Sequence, residues 1–400
     1  MEFNAFQNKK LLKKLLKNEE WNLFKFSDVF LDNTKLAKKI KKEDYLKIGK
    51  YPIIDQGKKY IAGYTNYTEA IYDEEGIIFG DHTRIIKYVN FPLFLGADGT
   101  KLLGVKLKKD CINIKYLYYF LKTIELPSDG YSRHFKYLKE IIIAIPSIKI
   151  QNKIVEVLDM SYKLIENRKK QIKELDLLVK SKFIEMFGDP INNPMKWEVK
   201  KMKDISVNIM SGNTPKGGEQ VYVESGIMFL RSQNVWKNKL LLDDVAYIDQ
   251  ATHNKMKKSS LKNKDILMTK TGRINTENSS LGRAAMFLGE DDSANINGHV
   301  YLIRLQEQII NEFVLYILTS KEYRGYIRSV CVGGIDKRQL NKEHIEDFPI
   351  IFPPIEKQKK FVSYVNQVDK LKFEMEKSLK ELEDNFNSLM QKAFNGELFN

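Results

Sequence analysis

Six loop segments hold the side chains that could do chemistry in this 400-residue sequence, and that chemistry is hydrogen bonding to flat, polyanionic partners. "RSQNVW" (231–236) sets Arg231, Gln233 and Asn234 close together. The fork of an arginine matches the paired acceptors of a guanine edge, and a glutamine or asparagine amide matches the donor–acceptor pair of adenine. "SGNTPKGG" (211–218) adds Ser211, Asn213, Thr214 and Lys216 among small residues that leave backbone amides accessible. "TKTGRIN" (269–275) places Lys270 and Arg273 around a glycine turn, and "GGIDKRQL" (333–340) carries Lys337 and Arg338. In the first half, "GDHTRIIK" (80–87) offers His82, Thr83, Arg84 and Lys87, and "DGYSRHFK" (129–136) offers Arg133, His134 and Lys136. Any one of these loops resembles an ordinary solvated turn. Their recurrence at matching places in the two halves points to the reading of base edges and phosphates of a DNA duplex.

The composition supports a polyanionic partner. Lys and Arg number 66 against 52 Asp and Glu, a formal net charge of +14. Basic side chains that neutralise phosphates release condensed counterions, although Lys-, Ile- and Asn-rich usage is also what an AT-rich genome produces. Catalytic motifs are missing. There is no GxxxxGK[ST] loop and no Gly-rich dinucleotide or methyl-donor loop after a strand. "NPMK" (193–196) departs from the Asn/Asp-Pro-Pro-aromatic pattern that holds a target amine. Glu374, Glu376 and Lys377 mimic part of a nuclease motif but sit on a helix where a solvated face is the plain reading. With two cysteines, Cys111 and Cys331, five scattered histidines and no CxxC, neither a zinc site nor a disulfide framework is expected. We therefore expect no catalytic residue, no metal and no cofactor in this chain, and a reducing, cytoplasmic setting. No apolar run reaches 18 residues, so no membrane partner is expected. Residues 1–20 read as an amphipathic helix with Leu11, Leu12, Leu15 and Leu16 on one side. Packing is its plain role, and a membrane-surface anchor is the alternative.

The elements that must position these loops announce themselves by repetition. "IPSIKIQNKIVEVLD" (145–159) returns 207 positions later as "FPPIEKQKKFVSYVN" (352–366), with Pro146 and Gln151 answered by Pro353 and Gln358. A strand-like run precedes each proline, which suits the end of a strand and the first turn of a helix. Steps of four and three residues from Ile154 select Leu158, Ser161, Ile165, Arg168, Ile172, Leu175, Val179, Lys182 and Met186. The matching positions are Phe361, Val365, Val368, Lys372, Met375, Leu379, Leu382, Phe386, Leu389 and Ala393. Apolar residues fill most of both sets, which predicts two long helices with a coiled-coil seam, each roughly 55 Å long. "FGDPINNP" (187–194) and "FNGELFN" (394–400) stop them. Around the helices, β-branched and aromatic runs alternate with Gly, Asn and Asp turns. Trp21 and Asp28 in "WNLFKFSDVF" correspond to Trp197 and Asp204 in "WEVKKMKDIS". The expected organisation is α+β: an amphipathic segment (1–20), a first globule (21–145), a first spacer helix (146–187), a linker (188–196), a second globule (197–352) and a second spacer helix (353–400). If the ends of the second globule lie together, the helices run antiparallel and separate two similar readers, giving pseudo-twofold symmetry.

Over nearly its full length the chain resembles the DNA-specificity subunits of type I restriction–modification systems. The resemblance is carried by Pro146 with Gln151, by Pro353 and Pro354 with Gln358, by the terminator "FGDP", and by "SGNTP" and "LMTKTGR" in the second globule. Members often show Glu just before the glutamine, where this chain has Ile150 and Lys357. The resemblance implies two target-recognition domains, each reading one half of an asymmetric bipartite site, and helices that fix the spacing. Pro146, Gln151, Pro353 and Gln358 would then serve the spacer and the docking of two methyltransferase subunits, which restriction and translocation subunits join. It also implies that the chain is non-catalytic by itself. DNA adenine methylation and site-specific DNA cleavage, with S-adenosylmethionine, ATP and magnesium, belong to the partners. The recognition subunit of another multisubunit restriction–modification system, or a coiled-coil scaffold that reads no DNA, are the alternative readings.

Overall fold

The computed structural model describes residues 7–16, 20–96, 98–108, 110–127, 130, 132–274, 276, 278–334 and 337–399. Residues 1–6 and 17–19 of the N-terminal segment lie outside the described residues, as do Asp129, Tyr131, Asn275, Ile335 and Asp336 of the loops quoted above. The chain is α+β. It divides into two compact units, residues 1–171 with 375–400 and residues 172–374, so each unit takes a part of both long helices. No helix among the described residues is long and apolar enough to cross a membrane.

The long helices are Ile148–Phe187 and Ile355–Phe394, 40 residues each and offset by 207 at both ends, which makes them about 60 Å long. None of the twenty seam positions is exposed. Their ends differ in one detail. Gly188 takes the left-handed conformation directly after the first helix (φ +76°), whereas after the second Asn395 intervenes and Gly396 takes it (φ +67°). Glu397 N–H then closes the last turn onto the Lys392 carbonyl.

In the first unit, strand Trp21–Lys25 pairs antiparallel with Ile142–Pro146, Trp21 opposite Pro146. One sheet runs in the order Phe30–Asp32, Thr100–Val105, Gly76–Gly80, Ile86–Val89. In a second sheet, Tyr51–Ile54 lies between Gly63–Thr65 (antiparallel) and Phe94–Gly96 (parallel). The core joins helix Ile114–Lys122 to the beginning of one long helix and the end of the other. Lys169 meets Glu383 at 3.0 Å and Tyr162 meets Phe386 at 6.2 Å, so these two stretches run antiparallel. The N-terminal helix Lys9–Leu16 buries Leu12 and Leu15. The Gln7 amide pairs with both backbone groups of Ile142 (2.9 and 2.7 Å).

The second unit repeats the plan. Val199–Lys201 pairs with Pro349–Ile351. The first sheet again runs in one order, Ser206–Ser211, Val300–Leu305, Ile266–Thr269, Ala284–Met286. In the second, Ile227–Leu230 lies between Ala246–Ile248 (antiparallel) and Ala294–Ile296 (parallel). Asp28 and Asp204 accept from the N–H groups of Lys25 and Lys201 at the same 3.3 Å. Phe183 and Phe187 of the first long helix and Phe361 of the second enclose Phe313 and Tyr316, and Lys372 meets Asp176 at 2.6 Å.

The repeated glutamines are both buried, and they differ. Gln151 Nε2 donates to the carbonyls of Pro146 (2.8 Å) and Cys111 (3.1 Å), and Oε1 accepts from Asn113 N–H (2.8 Å). Asn113 in turn caps helix Ile114–Lys122 through its own side chain. Gln151 thus ties a strand end, a long helix and a short helix together. Gln358 Nε2 donates to the Pro353 carbonyl (2.7 Å), while its Oε1 is buried without a partner. Stranding a buried partner costs about 1–3 kcal/mol, whereas removing an unpaired polar atom is nearly neutral. Gln151→Leu is therefore expected to lower the thermal melting point of the full chain by more than Gln358→Leu does. Equal shifts would sink this account of the repeat.

Candidate nucleic-acid interface

Strand order decides which loops meet. In the second unit Val300–Leu305 pairs on both sides, so the chain around Ser211, Thr269 and Asn297–His299 emerges at one edge. Gly212 N–H donates to the Val300 carbonyl (3.0 Å), Lys270 N–H to His299 (2.9 Å), Asn297 N–H to Leu230 (3.0 Å) and Leu340 N–H to Lys270 (2.9 Å). These links bring the loops at 211–216, 231–234, 269–273 and 337–340 into one rim. Gly212 is required there, because a Cβ would stand 2.1 Å from the Ile296 carbonyl oxygen. Asn213, Thr214 and Lys216 are exposed and Ser211 is half-buried. Lys270 lies over the Tyr301 ring at 5.6 Å. Arg273 and Lys337 are exposed, and Arg338 Nη1 donates to the Cys331 carbonyl (3.2 Å).

The Arg231 segment is more engaged than its letters suggest. Arg231 Nη2 donates to the Asp244 carbonyl (2.8 Å) and carboxylate (3.1 Å), and the Gln233 amide lies against the same pair. Hydrogen bonding from Gln233 and the charge of Arg231 hold the Asp244 carboxyl below its ordinary range. Asn234 corrects the expectation of a base reader. It is 1% exposed, donates to the carbonyls of Leu241 and Asp244 (both 2.9 Å) and accepts from Arg231 N–H (2.9 Å). It shapes the loop from inside.

The first unit builds a comparable rim from a segment that sequence reading missed. Gln56 follows Tyr51–Ile54 as Arg231–Gln233 follows Ile227–Leu230. Its Nε2 donates to the Asp98 carbonyl (2.8 Å), its Oε1 accepts from His82 N–H (3.2 Å), and its carbonyl accepts from Thr83 Oγ1 (2.7 Å). Lys58 and Lys59 beside it are exposed. Strand alignment was the available signal, and "DQGKK" carries no arginine to draw the eye. Two further corrections concern residues that turn inward. Lys87 is 4% exposed and its ammonium donates to the carbonyls of Asp55 (2.7 Å) and Lys59 (2.6 Å), underpinning this loop. Burial lowers its amine pKa, with Asp55 opposing. His134 is buried, with Nδ1 3.0 Å from the Asp81 carbonyl oxygen. Arg84, at φ +59°, donates to the Leu126 carbonyl (3.3 Å). His82 Nδ1 lies 3.2 Å from the Ser132 carbonyl oxygen, while Arg133 and Lys136 face outward.

Also missed were Arg283, Arg324 and Arg328 of the second unit. Arg324 and Arg328 sit one turn apart on helix Lys321–Val330, a spacing that "EYRGYIRS" displays. Among the described residues no group of three or more His, Cys, Asp or Glu side chains is placed to hold a metal.

The type I restriction modification DNA specificity domain matches residues 18–177 and again 194–384, so the chain belongs to that family. It is a specificity (S) subunit of a type I restriction–modification system. The MjaVIII specificity subunit of Methanocaldococcus jannaschii is 22% identical over 440 residues, covering 100% of this chain and 97% of that one. The EcoR124I/EcoR124II specificity subunit of Escherichia coli is 24% identical over 83% of this chain and 82% of its own. Among solved structures, the S subunit from M. genitalium aligns with TM-score 0.53 at 18% identity, covering 94% of this chain and 97% of that one. A chain from a structure describing assembly and conformational transition of the type I R-M system aligns with TM-score 0.58 at 15% identity, covering 95% and 99%.

The inward and outward asparagines of the second rim separate by mutation. Asn234→Ala leaves three backbone groups without their partner, so a loss of roughly 1–3 kcal/mol is expected, read as a lower melting temperature. Asn213→Ala should leave melting unchanged. If Asn234→Ala melts like the parent, the loop is held by something else.

Proposed function

We propose that each unit carries a target-recognition domain for one half of an asymmetric bipartite DNA site, and that the long helices act as an antiparallel coiled-coil spacer between the halves. The observation that supports this most is the doubling of one sheet plan, with loop rims at the same strand ends but different side chains in them. Two unlike readers on one chain select a split, non-palindromic sequence. Half-sites about 34–36 Å apart face the same side of a duplex, and a helix of about 60 Å is long enough to span that.

The spacer also docks two methyltransferase subunits in this reading, and restriction and translocation subunits join them. Exposed apolar residues on the helices suit that role: Leu164 in the first unit, and Leu177, Leu178, Leu371 and Phe373 in the second. Methyl transfer and cleavage, with S-adenosylmethionine, ATP and magnesium, are the work of those partners in the cytoplasm.

Exchanging residues 21–145 for another reader is expected to change one half of the methylated site and leave the other intact, as read by mapping modified bases across the genome. A change in both halves would refute the two-reader arrangement. Inserting one heptad in both helices should lengthen the unread gap without altering either half. A scaffold that reads no DNA predicts equal binding to all duplexes.

A further inference from the structure

Two segments of the second unit lack a counterpart among the described residues of the first. Residues 270–283 join strands Ile266–Thr269 and Ala284–Met286, where the five residues 81–85 join Gly76–Gly80 to Ile86–Val89. Helix Lys321–Val330 follows Asn311–Thr319, whereas the described residues between Ile114–Lys122 and Phe135–Leu138 form no helix.

The long link contributes Arg273 and Arg283 to one surface basin, and Arg324 of the added helix reaches the same link. Arg283, 8% exposed, lies over the Trp236 ring with its guanidinium carbon 3.9 Å from the centroid. Its Nε and Nη2 donate to the carbonyls of Ser279 and Asn278, which carry no compensating charge. Arg324 donates to the carbonyls of Gly282 (3.2 Å) and Leu281 (3.5 Å), reaching the same loop from the added helix. Arg273 and Lys337 stand with Arg283 around a surface basin of about 560 Å³ whose other walls are Thr271, Gly272, Thr276 and Asn278–Ser280. None of Arg273, Arg283, Arg324, Arg328 and Lys337 forms a salt bridge among the described residues, while Arg231 and Arg304 both do. Burial lowers the pKa of Arg324, and the charges of Arg328 and Arg283 add to the effect. Like charges gathered without a counterion cost free energy, and a phosphate removes that cost. Guanidinium groups present planar forks of donors that fit phosphate oxygens.

We propose that this basin seats a backbone phosphate of duplex DNA, an anchor blind to sequence in the second half of the site. The inference rests on the DNA-reading function proposed above. The test uses the full chain assembled with its methyltransferase partners, as Arg273→Gln/Lys337→Gln and as Arg324→Gln/Arg328→Gln. Binding is measured across a KCl series on a duplex carrying the cognate site and on one of equal length without it. Each double variant should lose affinity for both duplexes by the same factor. The slope of log K against log salt should become shallower by about 0.9, the value for one phosphate no longer neutralised. The methylated sequence should stay the same. Arg273 and Lys337 are exposed, so that pair should melt like the parent. An unchanged slope overturns the proposal, and a loss confined to the cognate duplex overturns it by making these residues base readers. ATP binding measured by calorimetry without DNA provides a further arm. A heat that disappears in Arg273→Gln/Lys337→Gln while DNA binding persists would reassign the basin to a free nucleotide. If the parent assembly shows no preference between the duplexes, the DNA-reading function itself fails, whatever the variants do.

Discussion

Neither globule completes its core without the long helices, and this shared packing is the constraint on which the rest depends. In the first unit Ile150, Ile154, Leu158 and Ile165 from one helix and Phe386, Met390 and Phe394 from the other lie in the same apolar cluster as Trp21, Tyr116 and Phe120. In the second, Phe183, Phe187 and Phe361 pack ring to ring with Phe313 and Tyr316. Fully burying one such side chain contributes about 1.5–3 kcal/mol. A globule cannot pivot on its stretch of helix without exposing several of them. The loops at the strand ends therefore inherit their position from the helices, through Gln151 on one side and the aromatic cluster on the other.

The long helices were legible because a four-three spacing sustained over ten positions leaves little else that could bury those residues. The twin strand-and-helix plan was legible from Trp21 and Trp197, from Asp28 and Asp204, and from the prolines that end the last strands. The direction of polar side chains was not. Lys87, His134 and Asn234 have the letters of surface residues, yet each turns inward to backbone carbonyls that a tight loop offers. A buried polar group must find such partners, and its letter does not tell which loops supply them. Seeking features present in both halves also hid what only one half has: the added helix with Arg324 and Arg328, and the long link with Arg283.

The departures from symmetry carry their own information. Gln151 satisfies three backbone groups where Gln358 satisfies one. The outer strand of the second sheet flanks Phe94–Gly96 in one unit and Ala246–Ile248 in the other. Arg231 meets any ligand already paired with Asp244, which is 81% exposed. Any partner that takes up that guanidinium must displace a charged acceptor.

The division of the chain also sets the order in which it can be built. Residues 172–374 form one uninterrupted stretch, but the first unit is closed by residues 375–400. During synthesis Tyr119 and Phe120 are made long before Phe386 and Phe394, which stack against them. A nascent chain therefore carries an open apolar face on its earlier globule while the later one folds, the condition in which chaperones and aggregation compete for a polypeptide. The unit that begins first is finished last.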